Sequence, residues 1–188
     1  VFDPDGHGFI STLIEAPEYV SLDHDSSAAE GYINISPGFG AESGQVILSV
    51  TDDDYLPKTT LDTFYVSINH YPTWDGPESY YVVEGEDDAL TLTTSDIDGD
   101  GITLSMDSSP DYVSYDGTDG SGTININAYE GAESGYACFT FSDDGMPQAI
   151  VSECIHIIVN HFPGFGGLTD FHVVEEDVLD TLITFYDN

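Results

Sequence analysis

The chain matches itself 91 residues further on, and any fold has to accommodate that twice-written pattern. Residues 40–54 begin Gly-Ala-Glu-Ser-Gly and end Asp52-Asp53-Asp54, and residues 131–145 begin with the same five and end Asp143-Asp144-Gly145. Asn69-His70-Tyr71-Pro72 returns as Asn160-His161-Phe162-Pro163, and Ile33-Asn34-Ile35 returns as Ile124-Asn125-Ile126. Upstream, Asp3-Pro4-Asp5-Gly6 matches Asp96-Ile97-Asp98-Gly99, and residues 17–21 match residues 110–114, now at a spacing of 93. A two-residue length difference therefore falls in between.

The two copies are not cut at the same place. The second has a leader, Tyr80-Tyr81-Val82-Val83-Glu84 followed by Leu90-Thr91-Leu92, ahead of its Asp-x-Asp-Gly. The first copy's leader is at the far end of the chain, as Phe171-His172-Val173-Val174-Glu175 followed by Leu182-Ile183-Thr184. This predicts repeat 1 over 1–70 without its first strands, a complete repeat 2 over 71–162, and leader strands of a repeat-1 domain over 163–188. Three arrangements satisfy the pattern. The chain is a window on a longer tandem array, or its tail completes repeat 1 of the next molecule, or the tail folds back on its own repeat 1. The first two imply a linear polymer of domains. The chain begins with Val1 and shows no signal peptide, so a processed or windowed chain is expected.

Period-two alternation identifies the elements. Residues 45–50 and 136–141 read as β-strands, with 62–68 and 154–159 as their hairpin partners. Short strands recur between Gly, Pro, Asn and Asp, and no stretch sustains a helical period. The fold class is therefore all-β: two tandem immunoglobulin-like β-sandwiches, the first completed by the C-terminal strands.

Charge narrows the function. The chain carries 36 Asp and Glu against a single basic residue, Lys58, for a formal net charge of −35. Nucleic acid and anionic membrane surfaces are excluded as partners, because both need basic groups to meet their phosphates. No apolar run of about 18 residues is present to insert into a membrane as a helix. A hydrophobic fraction of 40% and an aromatic fraction of 12% set the chain apart from acidic disordered segments. It buries a core while its surface repels itself. High salt, an extended rod or bound multivalent cations each relieve that repulsion.

The carboxylates cluster. Asp96-Ile97-Asp98-Gly99-Asp100-Gly101 places alternating acids on a glycine turn, and hard cations take about six to eight oxygen ligands. It is not an EF-hand, since the residues beyond it are strand-like. Its copy, at Asp3 and Asp5, has His7 where Asp100 stands. A second cluster is Asp52, Asp53 and Asp54 with its copy Asp143 and Asp144. A third is Glu84, Glu86 and Asp87 with its copy Glu175, Glu176 and Asp177. Ca2+ or another hard cation is the cofactor these clusters fit.

Cys138 and Cys154 flank a turn near Met146-Pro147, and in a hairpin they face each other. An extracellular chain would join them in a disulfide, whereas otherwise they are two small buried hydrophobes. Repeat 1 has Ile47 and Thr63 at these positions. Asn34-Ile35-Ser36 is a glycosylation sequon.

These residues together resemble the cadherin-like and bacterial immunoglobulin-like tandem repeats of extracellular surface proteins. The family's early Glu falls on Glu84 and Glu175, its Asp-x-Asp on Asp96, Asp98 and on Asp3, Asp5, and its later Glu on Glu133 and Glu42. Its Asp-x-Gly-x-Pro falls on Asp143, Gly145 and Pro147, and its linker Asn on Asn160 and Asn69. The resemblance implies calcium between successive domains, with Glu175, Glu42 and Asn69 facing Asp96, Asp98 and Asp143. The linker here, Asn69-His70-Tyr71-Pro72, lacks the family's aspartates, so sites within each domain stand equally.

No Gly-x-Ser-x-Gly elbow or phosphate loop is present, and the acids repeat with the fold, which catalytic residues rarely do. The expectation is a non-enzymatic extracellular structural protein that joins copies of itself head to tail into a filament or surface stalk. Two rivals remain: an adhesin or carbohydrate-binding module, gripping a glycan or cell-surface ligand with exposed tyrosines and Trp74, and a passive halophilic spacer.

Overall fold

A computed structural model describes residues 8–24, 30–166, 170, 172–176 and 178–186. The chain divides into two compact units, 1–70 and 71–188. The described residues form strands and turns only.

Unit 1 contains β1 (Phe9–Glu15), β2 (Val20–His24), β3 (Gly31–Ile35), β4 (Gly44–Asp52) and β5 (Thr59–Val66). β1, β4 and β5 form one antiparallel sheet in the order β1-β4-β5, and β2 pairs with β3 in another. Unit 2 continues with β6 (Thr73–Trp74), β7 (Ser79–Val83), β8 (Asp87–Ser95), β9 (Ile102–Ser108) and β10 (Val113–Thr118). Then come β11 (Ser121–Asn127), β12 (Gly135–Asp143), β13 (Ile150–Asn160), β14 (Gly164–Gly166) and β15 (Thr184–Tyr186). Two four-stranded sheets, β10-β11-β8-β6 and β7-β13-β12-β9, make the sandwich.

Alternation puts Ala137, Phe139 and Phe141 of β12 on the inner face, against Leu92 of β8 and Ile124 and Ile126 of β11. The indole of Trp74 closes the core, 5.8 Å from the Phe139 ring and 5.7 Å from that of Phe141. This corrects the expectation that Trp74 is an exposed sugar-gripping residue: its neighbours on β12 are large and apolar, so the ring is half-buried among them. The sequence did not indicate that β7 runs parallel to β13, pairing Ser79 with His156 through Val83 with Asn160.

The repeat is physical down to its irregularities. A bulge between Leu13 and Glu15 opposite Leu48 and Ile47 recurs at Met106 and Ser108 opposite Phe139 and Cys138. The length difference falls between β2 and β3, because β10 and β11 are joined by a tight turn at Asp119 (φ 48°) and Gly120 (φ 78°). The Gly-Ala-Glu-Ser-Gly motif has a structural role in both units. Tyr19 donates its hydroxyl hydrogen to the Glu42 carbonyl (2.8 Å), as Tyr112 does to that of Glu133 (2.7 Å). Ser43 Oγ accepts the Ile68 N–H (2.8 Å), as Ser134 Oγ accepts that of Val159 (3.0 Å).

In the tail, β14 pairs with β15, Gly164 with Tyr186 and Phe165 with Phe185. Shifted by 91 residues, this is the pairing of β6 with β8, Thr73 with Ser95 and Trp74 with Thr94. The expected leader strand over 171–175 is not formed among its described residues, 172–175. Its counterpart β7 is held by hydrogen bonds to β13, and among the described residues of the tail none pairs with 172–175.

Cys138 and Cys154 sit directly opposite each other on β12 and β13 and are joined by a disulfide. Closing a loop of this length constrains the unfolded chain by about 3 kcal/mol. Replacing both cysteines with Ala is expected to lower the melting temperature of unit 2 by about 10 °C or more. Calorimetry would check this, and an unchanged transition would mean the hairpin is already fixed by its neighbours.

Candidate metal centre

The loop from β8 to β9 brings acids together, Asp96 and Asp100 half-buried and Asp98 exposed. Asp96 Oδ1 accepts the Asp98 N–H at 2.7 Å, an Asx turn, and Gly99 at φ 84° takes the left-handed conformation that the reversal requires. One carboxylate oxygen from each of Asp96, Asp98 and Asp100 then lies within 4.8 Å of the others. Calcium bound at about 2.4 Å holds opposed ligands about 4.8 Å apart, so the spacing fits such an ion. Asp96 Oδ2 is buried and has no hydrogen-bond partner.

The β12–β13 turn adds two further acids. The Gly101 N–H donates to Asp144 Oδ1 (2.7 Å), and the Asp144 N–H donates to the Gly101 carbonyl (3.0 Å). Asp143 is buried, and its Oδ1 accepts the N–H groups of Gly145 and Ala149, each at 3.0 Å. It thereby shapes the turn that presents Asp144. Burial, then the like charges of Asp96, Asp144, Asp143 and Asp98, push the Asp100 carboxyl above its usual range. Five carboxylates thus crowd one end of unit 2, and the chain's single basic residue, Lys58, belongs to unit 1. The donor set is all oxygen, which selects a hard cation.

In unit 1 the Asp53 N–H donates to the Gly8 carbonyl (2.9 Å), repeating the Asp144–Gly101 contact. Asp52 Oδ1 accepts the Lys58 N–H (2.9 Å). Asp3 and Asp5, and Asp177 of the third cluster, lie outside the described residues.

Glu84 has different surroundings. It is buried, and its carboxylate accepts the N–H of Gly131 (2.9 Å) and of Phe162 (2.8 Å), with the His161 imidazole 2.8 Å away. These bonds, that from Gly131 first, hold its carboxyl at about 2. Its own N–H donates to the Asn160 carbonyl (3.0 Å), at the far end of β13 from the Asp143 turn. Eleven residues of strand separate the two ends, about 35 Å, so Glu84 and the Asp96 loop of the same unit cannot share an ion. Glu86, Glu133 and Glu42 are exposed, Asn69 is half-buried, and Glu175 and Glu176 lie in an exposed turn of the tail.

The Glu84–His161 clasp had a legible signal. Glu84 and Glu175, and likewise His161 and His70, recur at 91 residues. The clasp went unseen because its members are 77 residues apart and meet only through the parallel β7–β13 pairing.

A carboxyl depressed in the fold stabilises it fully above the unfolded value near 4.5, and that stability is lost as pH falls toward 2. Glu84→Gln is therefore expected to lower the melting temperature of unit 2 at pH 7, with the deficit against the native chain shrinking below pH 4.5. A deficit independent of pH would instead mean lost packing alone.

Fold and cluster together define a class: a β-sandwich repeat protein with an all-oxygen acidic centre on the loop between two of its strands. The third and fourth strands of unit 2, β8 and β9, flank that loop.

No protein-family model matches the chain, and no curated protein matches it in sequence. Among solved structures it is similar to three repeats (EC22–24) of mouse cadherin-23, at 19% identity over 99% of this chain and 68% of that one, with a TM-score of 0.47. It is also similar to a protocadherin gamma B4 extracellular domain, at 16% identity over 96% of this chain and 34% of that one, TM-score 0.41. An endo-fucoidan hydrolase of glycoside hydrolase family 107 matches at 18% identity over 84% of this chain, TM-score 0.37. The chain spans 24% of that hydrolase. At these identities and scores the likeness assigns neither a family nor an activity.

Proposed function

We propose that the chain is part of an extracellular, non-enzymatic structural protein. Its β-sandwich repeats are stiffened by calcium or another hard cation at the Asp96 loop and continue head to tail, by strand complementation, into a filament or surface stalk. The observation that carries this reading is the tail: β14 and β15 repeat the β6–β8 register 91 residues on, which supports reading it as the opening strands of a further domain. The crowded carboxylates support the cation, and the Cys138–Cys154 bridge supports an oxidising compartment. No helix among the described residues is long and apolar enough to cross a membrane.

Electron microscopy and gel filtration of the chain in calcium and in chelator test the reading. Elongated assemblies in calcium are expected. Compact single molecules in both conditions would overturn it.

One observation favours a second reading, a carbohydrate-binding or adhesin module. Tyr136 stacks on His156 at 4.5 Å on the outer face of the β7-β13-β12-β9 sheet, and Tyr81, 71% exposed, shares that face. Glycan binding abolished by Tyr136→Ala would establish it.

A further inference from the structure

The resemblance to cadherin-like repeats makes Glu84, the early Glu of its repeat, a calcium ligand. The surroundings of its carboxylate do not fit an ion. Glu84 follows β7, and the groups that reach it come from two distant places in the chain. Gly131 lies in the turn between β11 and β12, 47 residues away, and Phe162 lies just beyond β13, 78 residues away. Each donates a backbone N–H, Gly131 to Oε2 and Phe162 to Oε1. His161 Nδ1 meets Oε2 as well, and since an ionised carboxylate can only accept, that nitrogen carries the hydrogen.

A carboxylate offers about four lone-pair sites. The Gly131, Phe162 and His161 donors fill both of those on Oε2 and one on Oε1. A calcium ion takes about six to eight oxygens. The groups around Glu84 are nitrogen donors: two amide N–H groups that have no lone pair to give a metal, and an imidazole, which hard cations pass over for oxygen. Their hydrogens, carrying positive charge, point at the carboxylate that a cation would have to approach. The Asp96 loop is the reverse case. There four other carboxylates crowd Asp100 and raise it, whereas the partners of Glu84 lower it and include no second carboxylate. Gly131 also opens the Gly-Ala-Glu-Ser-Gly motif, whose Glu133 carbonyl and Ser134 hydroxyl hold Tyr112 and Val159.

We infer that Glu84 is the centre of a cation-free clasp, in which its carboxylate ties the chain leaving β13 to the end of β7 and to the Gly131 turn in the place where the resemblance puts a calcium ligand. On the reading proposed above, unit 2 is then held differently at the two ends of β13. The Asp96 loop depends on an ion, and the Glu84 end closes with or without one. The clasp goes beyond that reading and does not depend on it.

Amide hydrogen exchange of the full chain, read by nuclear magnetic resonance in millimolar calcium and in chelator at matched ionic strength, tests the clasp. The Gly131 and Phe162 amides are expected to be protected equally in the two conditions. Glu84→Gln is expected to speed their exchange about tenfold or more in both, because a neutral carboxamide is a weaker acceptor than a carboxylate. The Gly101 amide, bonded to Asp144, reports the Asp96 loop in the same spectra and is expected to be slowed by calcium.

Gly131 or Phe162 protection that appears only in calcium would overturn the clasp and leave the Asp96 cation standing. A Glu84→Gln chain whose two amides exchange as slowly as those of the native chain would overturn it too. If that variant loses its β-sheet circular dichroism, the calcium comparison on the native chain decides. A Gly101 amide indifferent to calcium, with Gly131 and Phe162 protected in both conditions, would remove the cation from the Asp96 loop and leave the clasp intact.

Discussion

In millimolar calcium at low ionic strength, unit 2 is expected to melt about 10–20 °C above its temperature in chelator. A ligand at about 100 times its dissociation constant adds about 2.7 kcal/mol to the stability of the state that binds it. A domain of this size shifts by about 4–8 °C for each kcal/mol. The gain comes from two sources. A bound ion would give the buried Asp96 Oδ2 a partner and would offset the repulsion that pushes Asp100 up.

The same repulsion predicts a second signature. Asp96→Asn with Asp98→Asn removes two of the crowded charges, so the variant should melt above the native chain in chelator and gain nothing from calcium. Sodium chloride at matched ionic strength is the control, since a passive halophilic spacer would respond to it equally. Equal melting in calcium and in chelator, or a full effect from sodium alone, would remove the metal from the proposal.

The second large effect compares two corresponding positions. Phe139→Ala is expected to destabilise unit 2 by about 3–5 kcal/mol, because the ring is fully buried and its loss leaves a cavity under Trp74 and Tyr115. Leu48→Ala in unit 1 is expected to cost about 1 kcal/mol or less, since Leu48 is half-buried and already faces an open cavity. Trp74 is the chain's one tryptophan and lies on Phe139 and Phe141, so its fluorescence reports unit 2 alone. Circular dichroism then gives the transition of unit 1. Equal costs at the two positions would show that unit 1 has a complete core.

Short-range and periodic features were legible in the sequence. The alternation of residues 136–141 became the inward Ala137, Phe139 and Phe141 of β12, because side chains on a strand change face at every residue. Asp96, Asp98 and Asp100 converge because a glycine turn holds them within six residues, which leaves little freedom for them to part. The cysteine pair followed from the hairpin register. The 91-residue repeat pointed to leader strands over 163–188; β14 and β15 pair in the register of β6 and β8, whereas 172–175 form no strand.

Long-range contacts were not legible. Nothing local tells Glu84 that its partners are Gly131 and His161, or tells Trp74 that it will lie on two phenylalanines, since those contacts depend on strands from distant parts of the chain meeting in one sandwich. Nor does the chain's own pattern separate Ile33 from Ile124. Burial belongs to the neighbours a residue acquires, and only the assembled sheets show that one isoleucine is covered and the other partly exposed.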